Sequence, residues 1–129
     1  MMAGLLRLGL GPKSNYLLTT RGRKSGRRHT TPVSLVIDNG QRWLVAPYGA
    51  VGWVHNVRAS GEATLRRGRL TEQVQAAEVD ADVAAPVLRS YLQRERIVRP
   101  YFDVAPDAGL AAFAAVASRH PVFALASLR

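Results

Sequence analysis

Short apolar runs broken by turn residues set the pattern of this chain. Tyr16-Leu17-Leu18 sits inside a strand predicted over Asn15–Thr20, and Val33-Ser34-Leu35-Val36-Ile37 completes a second over Thr30–Ile37. Asp38-Asn39-Gly40 is a tight-turn signal, after which Trp43–Ala46 returns as a third strand. Val51–Arg58 then takes a helical period, with Trp53, Val54 and Val57 on one face and Ser60-Gly61 as its stop. Strand four is predicted over Glu62–Arg66, a turn at Arg67-Gly68-Arg69, and strand five over Leu70–Val79.

The C-terminal third reads differently. Asp80 or Asp82 is placed to cap a helix in which Val83, Val87 and Tyr91 recur beside Ala84, Leu88 and Leu92, an amphipathic stripe. Pro86 requires a place in the first turn of that helix, and Arg99-Pro100 breaks it. An Ala-rich helix follows over Leu110–Ser118, then a closing strand over Pro121–Leu125. Five or six largely antiparallel strands with flanking helices predict a mainly β, α+β domain built on a small, partly open barrel. At 129 residues the chain is expected to be one domain, able to bury roughly two-thirds of the surface its unfolded form exposes.

Charge adds a site to this scaffold. Residues 1–70 hold twelve Lys/Arg against two Asp/Glu, and residues 71–129 hold six against seven, so the net +9 belongs to the first part. Its centre is Thr-Thr-Arg-Gly-Arg-Lys-Ser-Gly-Arg-Arg-His-Thr-Thr-Pro, residues 19–32, held between the first two predicted strands. Gly22 and Gly26 permit the turns that gather guanidinium, ammonium, hydroxyl and backbone N–H groups on one anion. Lys24, a compact and rotatable charge at the middle, suits a phosphate. The bland reading of Arg66, Arg67 and Arg69 is a solvated strand edge that discourages pairing.

Other chemistry is thin. The chain has no cysteine, which removes disulfides and thiolate sites and fits a reducing cytoplasm. His29, His55 and His120 form no metal spacing, and no Ser-His-Asp grouping is apparent. His55 and His120 read as surface or hydrogen-bonded structural groups. Nothing reads as a membrane span. Met1 to Leu10 reads as a short docking helix, with a peripheral membrane contact as the alternative.

Leu-Leu-Thr-Thr-x-Gly-Arg-Lys-Ser-Gly, then Thr-Thr-Pro, then a hairpin, then Trp-x-x-Asn-x-Arg-Ala, in that order, resembles the deazaflavin-dependent nitroreductase family. The resemblance covers residues 14–79 and implies a split β-barrel, like FMN-binding proteins. It implies use of the deazaflavin coenzyme F-420 and reduction of a quinone, nitro compound or activated alkene. It places a phosphate-binding turn on Arg23, Lys24 and Ser25, and a segment along the cofactor on His29, Thr30, Thr31, Pro32, Val33 and Ser34. It places the ring beside Ala46, Pro47, Tyr48 and Gly49, and the start of the central helix on Gly52, Trp53, Val54, His55 and Asn56.

Several residues carry a second reading. Trp53 divides between packing and lining the pocket, and Asn56 between holding cofactor and bracing a loop. Tyr48 and Tyr101 are the candidate proton donors to a reduced substrate. The chain departs from the family in having His29 where many members have Arg, in a short Tyr48–Gly52 loop, and in a tyrosine-bearing C-terminal substrate wall reduced to Tyr91, Tyr101 and Phe102. The competing readings are the same barrel holding FMN or haem, and a basic nucleic-acid-binding barrel. The last is disfavoured because the cations are not interleaved with stacking aromatics. The expected partner is a small-molecule electron acceptor, without nucleic acid, and both monomer and homodimer are open.

Overall fold

The computed structural model describes residues 15–128, so the predicted Met1 to Leu10 helix and its membrane contact lie outside the described residues. Six strands are present: β1 (Asn15–Arg21), β2 (Arg28–Asp38), β3 (Gln41–Val45), β4 (Glu62–Arg67), β5 (Leu70–Glu78) and β6 (Val122–Ser127). All pairings are antiparallel, and the order β1-β2-β3-β6-β5-β4 closes on itself. The barrel is therefore closed where the sequence pointed to a partly open one. Closure comes from Leu17-Leu18-Thr19 of β1 pairing with Thr64-Leu65-Arg66 of β4. Because β4 pairs on both sides, its arginines guard no edge. Arg67 instead donates to the Asn15 carbonyl at 2.9 Å, and Arg66 to that of Gly68 at 3.2 Å.

Two turns follow directly from residue type. Asn39 and Gly40 both take positive φ, 51° and 80°, the two-residue hairpin geometry that matches strand twist. Gly61, at φ 72°, closes α1 (Gly52–Ser60) through a bond from its N–H to the Val57 carbonyl.

Apolar residues form two adjoining cores. Leu18, Leu35, Leu44, Leu65, Val74 and Phe123 fill the barrel, and Val54 and Val57 of α1 pack with them. On the outer face of β2, β3 and β6, Val36, Val45 and Val122 meet α2 (Ala81–Arg94) and α3 (Leu110–Val116) through Leu88, Leu92 and Phe113. Asp80 is the α2 cap, its carboxylate accepting from the Val83 N–H at 3.0 Å. Pro86 lies beyond the first turn of α2, not within it. It is tolerated because it faces solvent, where water can satisfy the carbonyl that its missing N–H leaves free. Short 3-10 segments at Arg96–Tyr101 and Ala117–Arg119 replace the predicted helix break and the last residues of the third helix.

One asymmetry of the barrel positions the site. β2 pairs with β1 from Arg28 to Ser34, but with β3 only from Leu35 onward. The first half of β2 is thus an overhang with one open edge. Along it every second backbone N–H and C=O points away from β1. Pro32, which has no N–H to lose, sits in this half.

Candidate cofactor site

The β1–β2 connection folds back on itself. Gly22 N–H donates to the Arg27 carbonyl at 2.6 Å, and Gly26 N–H to the Gly22 carbonyl at 2.9 Å. Gly26 takes φ 74°, and a Cβ on Gly22 would stand 3.0 Å from Ser25 Oγ and 3.1 Å from His29 Nε2. Both glycines are needed for this turn. Ser25 Oγ accepts from the Arg27 N–H at 3.1 Å, which leaves its own proton for a ligand.

Asn56 of α1 holds the turn from behind. It is buried, its Oδ1 accepts from the Arg23 N–H at 3.1 Å and from Arg23 Nη1 at 3.0 Å, and its Nδ2 donates to Thr20 Oγ1 at 3.1 Å. The loop-bracing reading of Asn56 is the one its hydrogen bonds express. By contrast Arg21, Lys24, Arg27 and Arg28 have no ion-pair partner among the described residues. Arg21 and Arg28 face each other across β1 and β2, a like-charge pairing that an anion would relieve.

A cavity of about 410 Å³ opens between this turn and α1, lined by Arg23, Lys24, Ser25, His29, Thr30 and Gly52 among others. Val51, the residue before α1, offers no side-chain cap, so the Gly52 and Trp53 N–H groups at the helix start have no backbone acceptor there. They add positive potential to the cations opposite. A second cavity, of about 360 Å³, lies along the β2 overhang, with Pro32, Val33, Ser34, Pro47 and Tyr48 in its wall. The two cavities share Thr31, Val51 and Trp53. One end of the combined cleft is basic and rich in N–H donors. The other is lined mostly by apolar residues, with Asn15, Ser34, Tyr91 and Glu95 among its polar ones.

Not every expected residue faces this cleft. Ala46 and Val54 are wholly buried in the barrel core, and neither Gly49 nor His55 lines either cavity. Gly49 takes φ 86° and shapes the loop after β3. Tyr48 and Tyr101 form an edge-to-face pair with centroids 4.7 Å apart, both largely exposed, and only Tyr48 lines the cavity. His120 is buried, stacks on Phe102 at 3.7 Å and hydrogen-bonds through Nδ1 to the Pro47 carbonyl at 2.9 Å. Burial holds its imidazolium form below the usual range, partly offset by the Pro47 carbonyl. It ties down the loop after β3 at Pro47, next to Tyr48.

The cleft also takes in residues of the helical layer: Tyr91, which the resemblance puts on the substrate wall, and three with no visible sequence signal for binding. Tyr91 belongs to the stripe of α2 that packs on the barrel, and Glu95, Ile97 and Val98 follow the helix end. Only the fold brings them over the overhang. Among the described residues no cluster of His, Asp and Glu could hold a metal, and no helix is long and apolar enough to cross a membrane.

Residues 7–104 match the family model described as F420H(2)-dependent quinone reductase. The chain belongs to this family. It is an oxidoreductase that uses reduced deazaflavin coenzyme F-420 to reduce a small organic acceptor. Solved structures share the fold. A structure described as an F420-H2 dependent reductase is 20% identical over 88% of this chain and 95% of its own, with TM-score 0.60. One described as a domain-swapped dimer is 20% identical over 96% of this chain and 92% of its own, at 0.63. The haem storage protein HutZ from Vibrio cholerae is 11% identical over 91% of this chain and 83% of its own, also at 0.63. The split barrel is thus shared with proteins of different cofactors, and residues rather than fold must explain the choice.

Proposed function

We propose that the combined cleft is the coenzyme site, with the phosphate at the basic turn and the deazaflavin ring along the β2 overhang. The observation that carries this is the shared wall of Thr31, Val51 and Trp53, which joins an anion-binding cavity to an apolar one. Lys24 and Ser25 would meet the phosphate, with Arg23 fixed beside them by Asn56 and the Gly52 and Trp53 N–H groups opposite. Arg21, Arg27 and Arg28, which have no carboxylate partner among the described residues, would meet the carboxylates of the coenzyme's glutamate tail. FMN offers a phosphate but no such tail, and the surplus of unpaired cations therefore favours the deazaflavin.

Bound there, the coenzyme supplies the hydride. The protein binds, orients and shields, and hydride transfer from the coenzyme asks no nucleophile or metal of it. The substrate class we favour is a quinone, whose flat ring suits the apolar end. Replacing Lys24 with alanine is expected to raise the coenzyme dissociation constant at least about tenfold, or about 1.4 kcal/mol, in a fluorescence titration. An unchanged constant removes the phosphate assignment.

A further inference from the structure

Among the described residues that line the apolar end of the cleft, Glu95 is the one acid. It follows α2 directly and is half-buried, beside Ile97 and Val98 in the same wall. Its backbone N–H donates to the Tyr91 carbonyl at 2.8 Å, which fixes where the residue stands. Its carboxylate forms no ion pair among the described residues, although Arg94, Arg96 and Arg99 are close in sequence. Two of these are engaged elsewhere. Arg94 donates to the Leu35 carbonyl at 3.3 Å, and Arg99 to those of Leu92 and Gln93, each at 3.0 Å.

Helix formation gives no reason for an acid at this place. A carboxylate at a helix C-terminus stands at the negative end of the dipole, where a cation is favoured. The chain has 18 Lys and Arg against nine Asp and Glu, yet it leaves this acid without a cationic partner among the described residues. The charge is felt inside the cavity. Burial, then the Glu95 carboxylate and the Tyr48 hydroxyl, push the Tyr91 phenol in the same wall above its ordinary range.

We propose that Glu95 selects the electron acceptor by charge, admitting neutral and cationic quinones and turning away anionic ones. This rests on the coenzyme orientation above, which leaves the outer part of the apolar cavity to the acceptor. A fixed negative charge in the wall affects an uncharged ring little, whereas it repels a sulfonate or carboxylate carried on that ring. Such a barrier has work to do here, because the net +9 of the chain draws small anions toward the protein. Glu95 is partly open to water, so screening holds its effect to several-fold.

The test is Glu95→Gln, which keeps the shape and removes the charge. Three naphthoquinones serve as acceptors: one neutral, one bearing a sulfonate and one bearing a quaternary ammonium. In the variant, kcat/KM for the sulfonate is expected to rise about fivefold and that for the ammonium to fall by a similar factor. The value for the neutral quinone and the coenzyme dissociation constant should each stay within about twofold. The difference between wild type and variant should also shrink at high salt, which a merely structural role would not produce. Equal changes with all three acceptors, no change with the charged pair, or a fivefold shift in coenzyme affinity overturns the proposal. Coenzyme binding that is indifferent to Lys24→Ala would instead break the underlying orientation, so the two failures are told apart.

Discussion

Asn56 shows how one buried amide sets a binding surface. Its three hydrogen bonds tie α1 to Thr20 and to both the backbone and guanidinium of Arg23. Asn56→Ala leaves the buried Thr20 hydroxyl without that partner and is expected to cost about 1–3 kcal/mol of unfolding free energy, measured by urea titration. Coenzyme affinity should fall in the same variant, because the turn loses its anchor. His120 makes a pH prediction. Its native pKa lies below the ordinary value of 6.5, so above that value both states are neutral and its stabilising effect is complete. As pH falls through 6.5 toward the native value, the unfolded chain takes up a proton that the folded chain refuses, and stability drops. The slope from this group is at most about 1.4 kcal/mol per pH unit. Melting temperatures between pH 8 and pH 5 should therefore fall less steeply in His120→Phe than in wild type, and parallel curves would contradict the assignment.

At the scale of elements, most of what the strands do was legible in residue pattern. The Asn39-Gly40 turn, the Gly61 stop and the order of strands all follow from local chemistry. Closure did not, because pairing of β1 with β4 joins segments far apart in the chain, and no local signal encodes it. The same limit applies to the site. The basic turn could be read from Arg23-Lys24-Ser25 and its flanking glycines, which act locally. The far wall could be read only in part: Tyr91 comes from the family resemblance, since its stripe reads equally well as core, and Glu95, Ile97 and Val98 carry no local signal. Ala46 and Val54 lie next to lining residues in sequence, but their side chains turn into the barrel. The α2 start gives a direct check on capping. Asp80→Ala removes the bond to Val83 N–H and should lower stability by about 1 kcal/mol in chemical denaturation, while Asp82→Ala should have a smaller effect.

Over the whole molecule, the division of labour is between a neutral scaffold and a charged mouth. The barrel core and the helical layer position the cleft, to which the helical layer adds the Glu95 carboxylate, and the excess of basic residues in the first part of the chain creates a field that attracts polyanions. One ligand is expected to span both cavities. Hydrogen exchange of the full protein, with and without oxidised coenzyme F-420, tests it most directly. Slowed exchange in residues 22–34 together with 51–56, and little change in the β4–β5 turn at 67–70, is the predicted footprint. Protection confined to the turn, or lying outside both segments, would contradict it.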